Sequence, residues 1–294
     1  MQNTLDLAIK QHECGTVDGH YAANNGKRYP AYMDNDSWKV FRQEMERHYS
    51  TAFSEFGAGA GGELKDTGPL PPKMASYGSS SRMIFELAKD IPHIHFEYKL
   101  RTEVGGTAHL DGFVETEEKQ VFVEAKCREL YGSKTSRIET KYRELYRYID
   151  EDASCNMCIR TADAGNRMAV TFSVDGTAVS VFDMKQMICH LLGIASACLR
   201  NPTHKTLSFI YLCYDPTSLA IADASRKQDI HDRYRQWRTE FASVDFAALF
   251  GTIMRYLKHE RQIGCATDAE MAAMIARFQM TLCDQKDFVQ TCTR

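Results

Sequence analysis

The 294-residue sequence has no long apolar run. Its longest mostly apolar stretch, Met187 to Leu199, is too short to cross a bilayer and contains His190. A membrane span is therefore not expected. The opening residues, MQNTLDLAIKQHEC, lack a basic start followed by an apolar core, so export is not expected and a cytoplasmic location is. A charge excess is missing too: 36 Lys and Arg stand against 39 Asp and Glu, and any contact with a polyanion must be local. Cys155 and Cys158 form a CxxC that no second CxxC or spaced His pair completes. Ten cysteines in a chain of this length read as reduced thiols, with structural zinc as the alternative. The glycines of GAGAGGELKDTGPLPP, Gly57 to Pro72, lack the Gly-Lys-Ser/Thr ending of a phosphate loop, which leaves a linker. There is no internal repeat, helix-turn-helix or zinc finger.

What is present suits a globular protein: 44% hydrophobic and 26% charged residues exclude wholesale disorder. The length allows one large domain, or a core with helical additions. Asp36 or Ser37 can cap a helix through Trp38, Phe41, Met45, Tyr49 and Phe53. A second helix starts in Ser79–Ser81 and carries Met83, Ile84, Glu86 and Leu87. Strands follow at 95–102, 107–115 and 120–128, then a charged helix from about Thr135 to Ile149. A hairpin turns at Asp175-Gly176, 184–199 reads as an apolar helix, and TLSFIYLCY, Thr206 to Tyr214, reads as a central strand. Three apolar stripes at helical spacing close the chain: Ile230 to Phe241, Phe246 to Leu257, and Met271, Met274, Ile275, Phe278 and Leu282.

The stretch HLDGFVETEEKQVFVEAKCRE, His109 to Glu129, carries the chemistry. With the turn centred between Glu117 and Glu118, Phe113 faces Phe122 and Asp111 faces Glu124. Alternation puts Val121, Val123, Ala125 and Cys127 on one face with Leu110, Gly112 and Val114, and Asp111, Glu124 and Lys126 on the other. Opposed carboxylates in a half-buried sheet repel. Lys126 supplies one compensating charge, and a divalent ion that prefers oxygen ligands, Mg²⁺ or Mn²⁺, would supply the rest. The alternative is an exposed hairpin face whose charges are solvated. Against that stand Phe113 and Phe122 on the same face, and a polar motif set inside a strand.

Asp111 followed by Glu124-Ala125-Lys126, with Glu86 on an upstream helix, resembles the PD-(D/E)xK nuclease superfamily. Leu110 stands where that family often has proline, and Gln186-Met-Ile-Cys-His190 resembles its Gln-x-x-x-Tyr helix with His190 in place of tyrosine. The resemblance implies an α/β restriction-endonuclease-like core, a mixed central sheet flanked by helices, over 79–216. An N-terminal helical extension and linker (1–78) and a C-terminal helical section (217–294) would be added to it. It further implies a Mg²⁺- or Mn²⁺-dependent nuclease, most often a DNA endonuclease, with nucleic acid as partner and room for a homodimer. Asp111, Glu124 and the Ala125 carbonyl would hold the ion, and Lys126 would act on the attacking water. Glu86 would complete the shell, or simply face solvent. Gln186 would touch Lys126 or substrate, or be a surface residue, and His109 and His190 read as structural.

For substrate, Ser80 in the serine run can meet a phosphate at a helix N-terminus, or the run is an N-cap. Lys134, Arg137, Lys141, Arg143 and Arg147 lie among tyrosines in KCRELYGSKTSRIETKYRELYRY and can hold backbone phosphates; the alternative is a solvated helix of Glu–Arg pairs. Ser225 to Arg238 is a second, weaker basic stretch. Two rival classes remain: a non-catalytic nucleic-acid binder on the same fold, and a partner-binding protein with incidental hairpin charges.

Overall fold

The computed structural model describes residues 21–22, 28–29, 32–59, 62–66, 71–127, 137–218 and 224–293. The first long helices are α1 (Asn35–His48) and α2 (Ser50–Gly57). The expected single helix breaks at Tyr49, and its cap is Asp34, whose Oδ1 accepts the Ser37 N–H at 2.8 Å. Helix α3 (Ser80–Ala88) starts where expected, with the Ser79 hydroxyl accepting the Arg82 N–H.

Three antiparallel strands follow: β1 (Ile94–Arg101), β2 (Thr107–Glu115) and β3 (Lys119–Lys126). Next come β4 (Arg137–Glu139), helix α4 (Arg143–Glu151), and strands β5 (Met157–Ala164), β6 (Arg167–Val174) and β7 (Thr177–Val179). Helix α5 (Met184–Arg200) carries the chain over to β8 (Thr206–Cys213), which lies parallel to β3. Helices α6 (Ala224–Ser243), α7 (Phe246–Arg255) and α8 (Asp268–Ala276) precede strand β9 (Phe278–Asp284) and helix α9 (Phe288–Thr293).

The result is α/β: a mixed five-stranded sheet of order β9-β8-β3-β2-β1, flanked by helices. One face packs on α1, α2 and α3 through Phe56, Ile84, Phe85 and Phe96. The other packs on α5, α4, α7 and a smaller sheet in which β6 is paired by β4, β5 and β7. Strand β8 is buried on both faces, as its unbroken apolar run predicts. Helix α5 lies close on β1 and β2 because it has Gly193 there: a Cβ would meet the Ala108 Cβ at 2.7 Å.

Two expectations are corrected. The charged helix does not run from Thr135 within the described residues; it starts at Arg143, because Ile138 is buried between exposed Arg137 and Glu139 and so pairs as strand β4. The third C-terminal stripe divides after Ala276, and Phe278 to Asp284 extends the sheet instead of continuing a helix. Residues on both sides of the expected 79–216 core thus complete it: β9 from one side, helices α1 and α2 from the other. The Asp175-Gly176 turn is as expected, with φ of 47° and 79°. Among the described residues no disulfide joins the cysteines and no helix is long and apolar enough to cross a membrane.

Candidate active site

The hairpin register is the expected one. Phe113 pairs with Phe122 and Val114 with Val121, and the β2–β3 ladder stops at Gly112–Val123, one step before Asp111 and Glu124. Beyond that step the backbones no longer exchange hydrogen bonds. Asp111 Oδ2 instead accepts the Ala125 N–H at 2.7 Å. In a strand the N–H and C=O of one residue point to the same side, so the Ala125 carbonyl shares that side with Asp111.

The neighbouring ladder explains the gap. Strands β1 and β2 pair at Phe96–Gly112 and at Tyr98–Leu110, and the intervening pair, Glu97–Asp111, is missing. Glu97 has φ of 51°, a left-handed conformation that non-glycine residues avoid. There both strands change face. Phe96 and Val114 pack against α3, whereas Leu100, Ala108 and Leu110 join the α5 side with Phe113 and Phe122. Leu110 therefore does not share the face of Val121 and Val123. The break in alternation at this pair aims two carboxylates into one cleft.

That cleft has a volume of about 340 Å³ and is lined by Glu63, Glu97, Asp111, Glu124, Lys126 and Gln186, with His109, Lys73 and the stretch 78–81 around them. Glu124 is 2% exposed. Its Oε1 receives Lys126 Nζ at 2.5 Å and Gln186 Nε2 at 2.6 Å. His190 Nε2 lies 3.1 Å from the other oxygen, an electrostatic contact without hydrogen-bond alignment. Burial alone would raise the Glu124 carboxyl, but Lys126 and His190 together hold it at about 2. Asp111 is pushed well above the usual carboxylate range, by burial first and by Glu124 second. The pair thus splits: Asp111 holds a proton more tightly than Glu124 does.

Two further acids were not among the expected site residues. Glu63 lies in the segment read as a linker, is 3% exposed, and pairs with Lys73 at 2.7 Å. Glu97 is pushed up to about 7, by burial and then by Glu63. Both side chains close on Gly59, where a Cβ would stand 3.1 Å from a Glu97 oxygen and 3.3 Å from a Glu63 oxygen. No apolar pattern marks either residue. The signals available were a lone acid between Gly62 and Leu64, and a charge inside β1 that alternation places on the Phe113 side. His190 also moves, from a structural residue to a neighbour of Glu124.

Other expected residues fall elsewhere. Glu86 pairs with Lys89 at 3.2 Å on α3 and does not line the cleft. Ser80 does line it. Lys134 lies outside the described residues. Arg137 is exposed on β4, while Lys141, Arg143 and Arg147 pair with Glu139, Asp163 and Glu151 at 2.7, 2.6 and 3.9 Å. Exposed pairs of this kind match the solvated-helix alternative.

As the side chains stand, no three His, Cys, Asp or Glu groups among the described residues converge closely enough to enclose a metal ion. Lys126 fills the position beside Glu124. The donor set is nevertheless one of oxygens, with the Asp111 carboxyl raised by burial and by Glu124, which is the chemistry a hard cation satisfies.

Glu97 gives a direct test. Its folded pKa, about 7, lies above the unfolded value near 4.5, so the stability it contributes is full below about 4.5 and is lost as pH rises through about 7. Glu97→Gln removes this titration. The variant should lose less melting temperature than wild type between pH 5 and 8 in chelator; identical profiles would mean that Glu97 is solvated and ionised throughout.

No family model matches the chain, and neither a curated protein nor a solved structure matches it.

Proposed function

We propose that the protein is a metal-dependent nuclease that hydrolyses phosphodiester bonds, most simply a DNA endonuclease of the PD-(D/E)xK type on a restriction-endonuclease-like core. One observation carries the reading: Asp111 on one strand meets Glu124 and Lys126 on the next in a single cleft. The order helix α3, strands β1–β3, helix α5 and strand β8 also agrees with the family core.

Asp111 and Glu124, with the Ala125 carbonyl, are the residues that would hold Mg²⁺ or Mn²⁺. When bound, such an ion lowers the pKa of its water and offsets charge on a phosphate. The remaining work falls to the chain. Gln186 and His190 fix the Glu124 carboxylate from two directions, so it is held in place before substrate arrives. Lys126, which contacts Glu124, would orient the attacking water and offset the charge that develops in the transition state. Asp111 is fixed by the Ala125 N–H and would be one of the oxygen ligands of the ion.

The test is incubation with mixed DNA and RNA substrates in Mn²⁺ or in chelator. Cleavage in Mn²⁺ alone supports the reading and identifies the nucleic acid. A protein that binds nucleic acid but never cuts it would be the non-catalytic alternative on the same fold.

A further inference from the structure

Besides the acids, the lining of the cleft has a part of different chemistry. It is formed by Gly78, Ser79, Ser80 and Ser81, where the chain enters the nine-residue helix α3. Ser79 is already used, as the N-cap that accepts the Arg82 N–H at 3.3 Å. Ser80 and Ser81 occupy the first two helical positions, whose N–H groups have no intrahelical acceptor. Ser81 is independent evidence. The residue is 7% exposed and lines the cleft, and its hydroxyl has no hydrogen-bond partner among the described residues. The surface that this residue keeps lines the cleft, so a ligand there can take a donor that no protein group uses.

We propose that Ser80 and Ser81 form a seat for a phosphate group of the substrate, held by two backbone N–H groups and two hydroxyls at the positive end of α3. This rests on the nuclease reading and deepens it, because it fixes how the substrate lies. The serine stretch carries donors and no acid, whereas the rest of the lining carries Glu63, Glu97, Asp111 and Glu124. A phosphate that needs no cation goes to the serines, and the scissile phosphate goes to the acids, where a cation is required. The seat reads backbone and not base, so the grip does not depend on sequence. The occupant is either an internal diester phosphate or a terminal phosphate. The chemistry of the contact is the same for both.

The test is fluorescence-anisotropy titration of short DNA and RNA oligonucleotides, with and without a 5′-phosphate. It is run in Ca²⁺, which takes the same oxygen ligands. Two variants are compared with wild type. Ser81→Ala deletes the unpartnered hydroxyl and should weaken binding about tenfold, the usual effect of removing one hydrogen bond to a charged group. Ser80→Asp puts an anion where the phosphate would sit and should weaken binding far more. An acid in the first turn favours the helix while the acids of the cleft oppose it, so melting in the same Ca²⁺ buffer separates lost binding from lost fold. If only 5′-phosphorylated ligands lose affinity, the occupant is a terminal phosphate; if hydroxyl-ended ligands lose it equally, the occupant is internal.

Wild-type affinity in both variants, with cleavage in Mn²⁺ retained, overturns the seat and leaves the nuclease reading standing. A wild-type protein that neither binds nor cuts any DNA or RNA overturns both.

Discussion

Replacing Lys126 with alanine is expected to reduce phosphodiester cleavage by about a hundredfold or more, the usual cost of removing one group that stabilises transition-state charge. The same change should lower stability when no cation is present. Lys126 is 7% exposed and bonds a carboxylate that is 2% exposed, so alanine leaves Glu124 buried with Gln186 and His190 alone. Breaking a buried pair from one side costs about 3–5 kcal/mol, or roughly 6–20 °C of melting temperature in a chain of this size. Glu124→Gln placed on top of Lys126→Ala removes the stranded charge and should recover most of that loss in chelator without restoring cleavage. Mn²⁺ should stabilise the single variant more than wild type. Wild-type turnover by Lys126→Ala, measured on any substrate the parent cuts, removes Lys126 from the mechanism.

The second large effect concerns Asp111, whose folded pKa is raised by burial and by Glu124. A group with a raised folded pKa contributes stability below its unfolded pKa and loses it as pH rises through the folded one. Near neutral pH without a cation, the site therefore strains the fold. An ion that binds only the folded protein, at about ten times its dissociation constant, adds roughly 1.4 kcal/mol. That corresponds to a shift on the order of 2–5 °C. Asp111→Asn keeps an acceptor for the Ala125 N–H and removes the charge. It should melt higher than wild type in chelator and lose most of the Mn²⁺ shift. Equal shifts in both proteins would place the cation elsewhere. A variant that melts lower in chelator would make Asp111 a satisfied structural carboxylate.

Much of this arrangement could be read from the residues. The centre of the turn fixed which side chains of β2 and β3 face each other, and the period of two put Glu124 and Lys126 together. Ser79, Met184 and the apolar run of β8 marked their elements because local propensity and burial agree there. Alternation failed at Glu97, since a left-handed φ at a glutamate has no sequence signature, and Leu110 was assigned to the wrong face as a result. Phe278, Met280 and Leu282 satisfy a strand period as well as part of a helical one, and the parallel neighbour β8 decides between them. Strand β5 has only Met157 and Ile159 buried, too little apolar pattern to announce itself. Glu63 could not be found by pattern, because its burial depends on where a glycine-rich segment lies against β1.

On the proposed nuclease reading, the unpaired step at Glu97–Asp111 sets robustness against activity. A designer who regularised these strands would place glycine at 97, or restore the missing pair, and would gain stability by ordinary rules. Either change would turn the acids out of the cleft or delete one of them. Selection for heat resistance and selection for turnover therefore pull this single pair in opposite directions, and variants evolved for the one should lose the other here first.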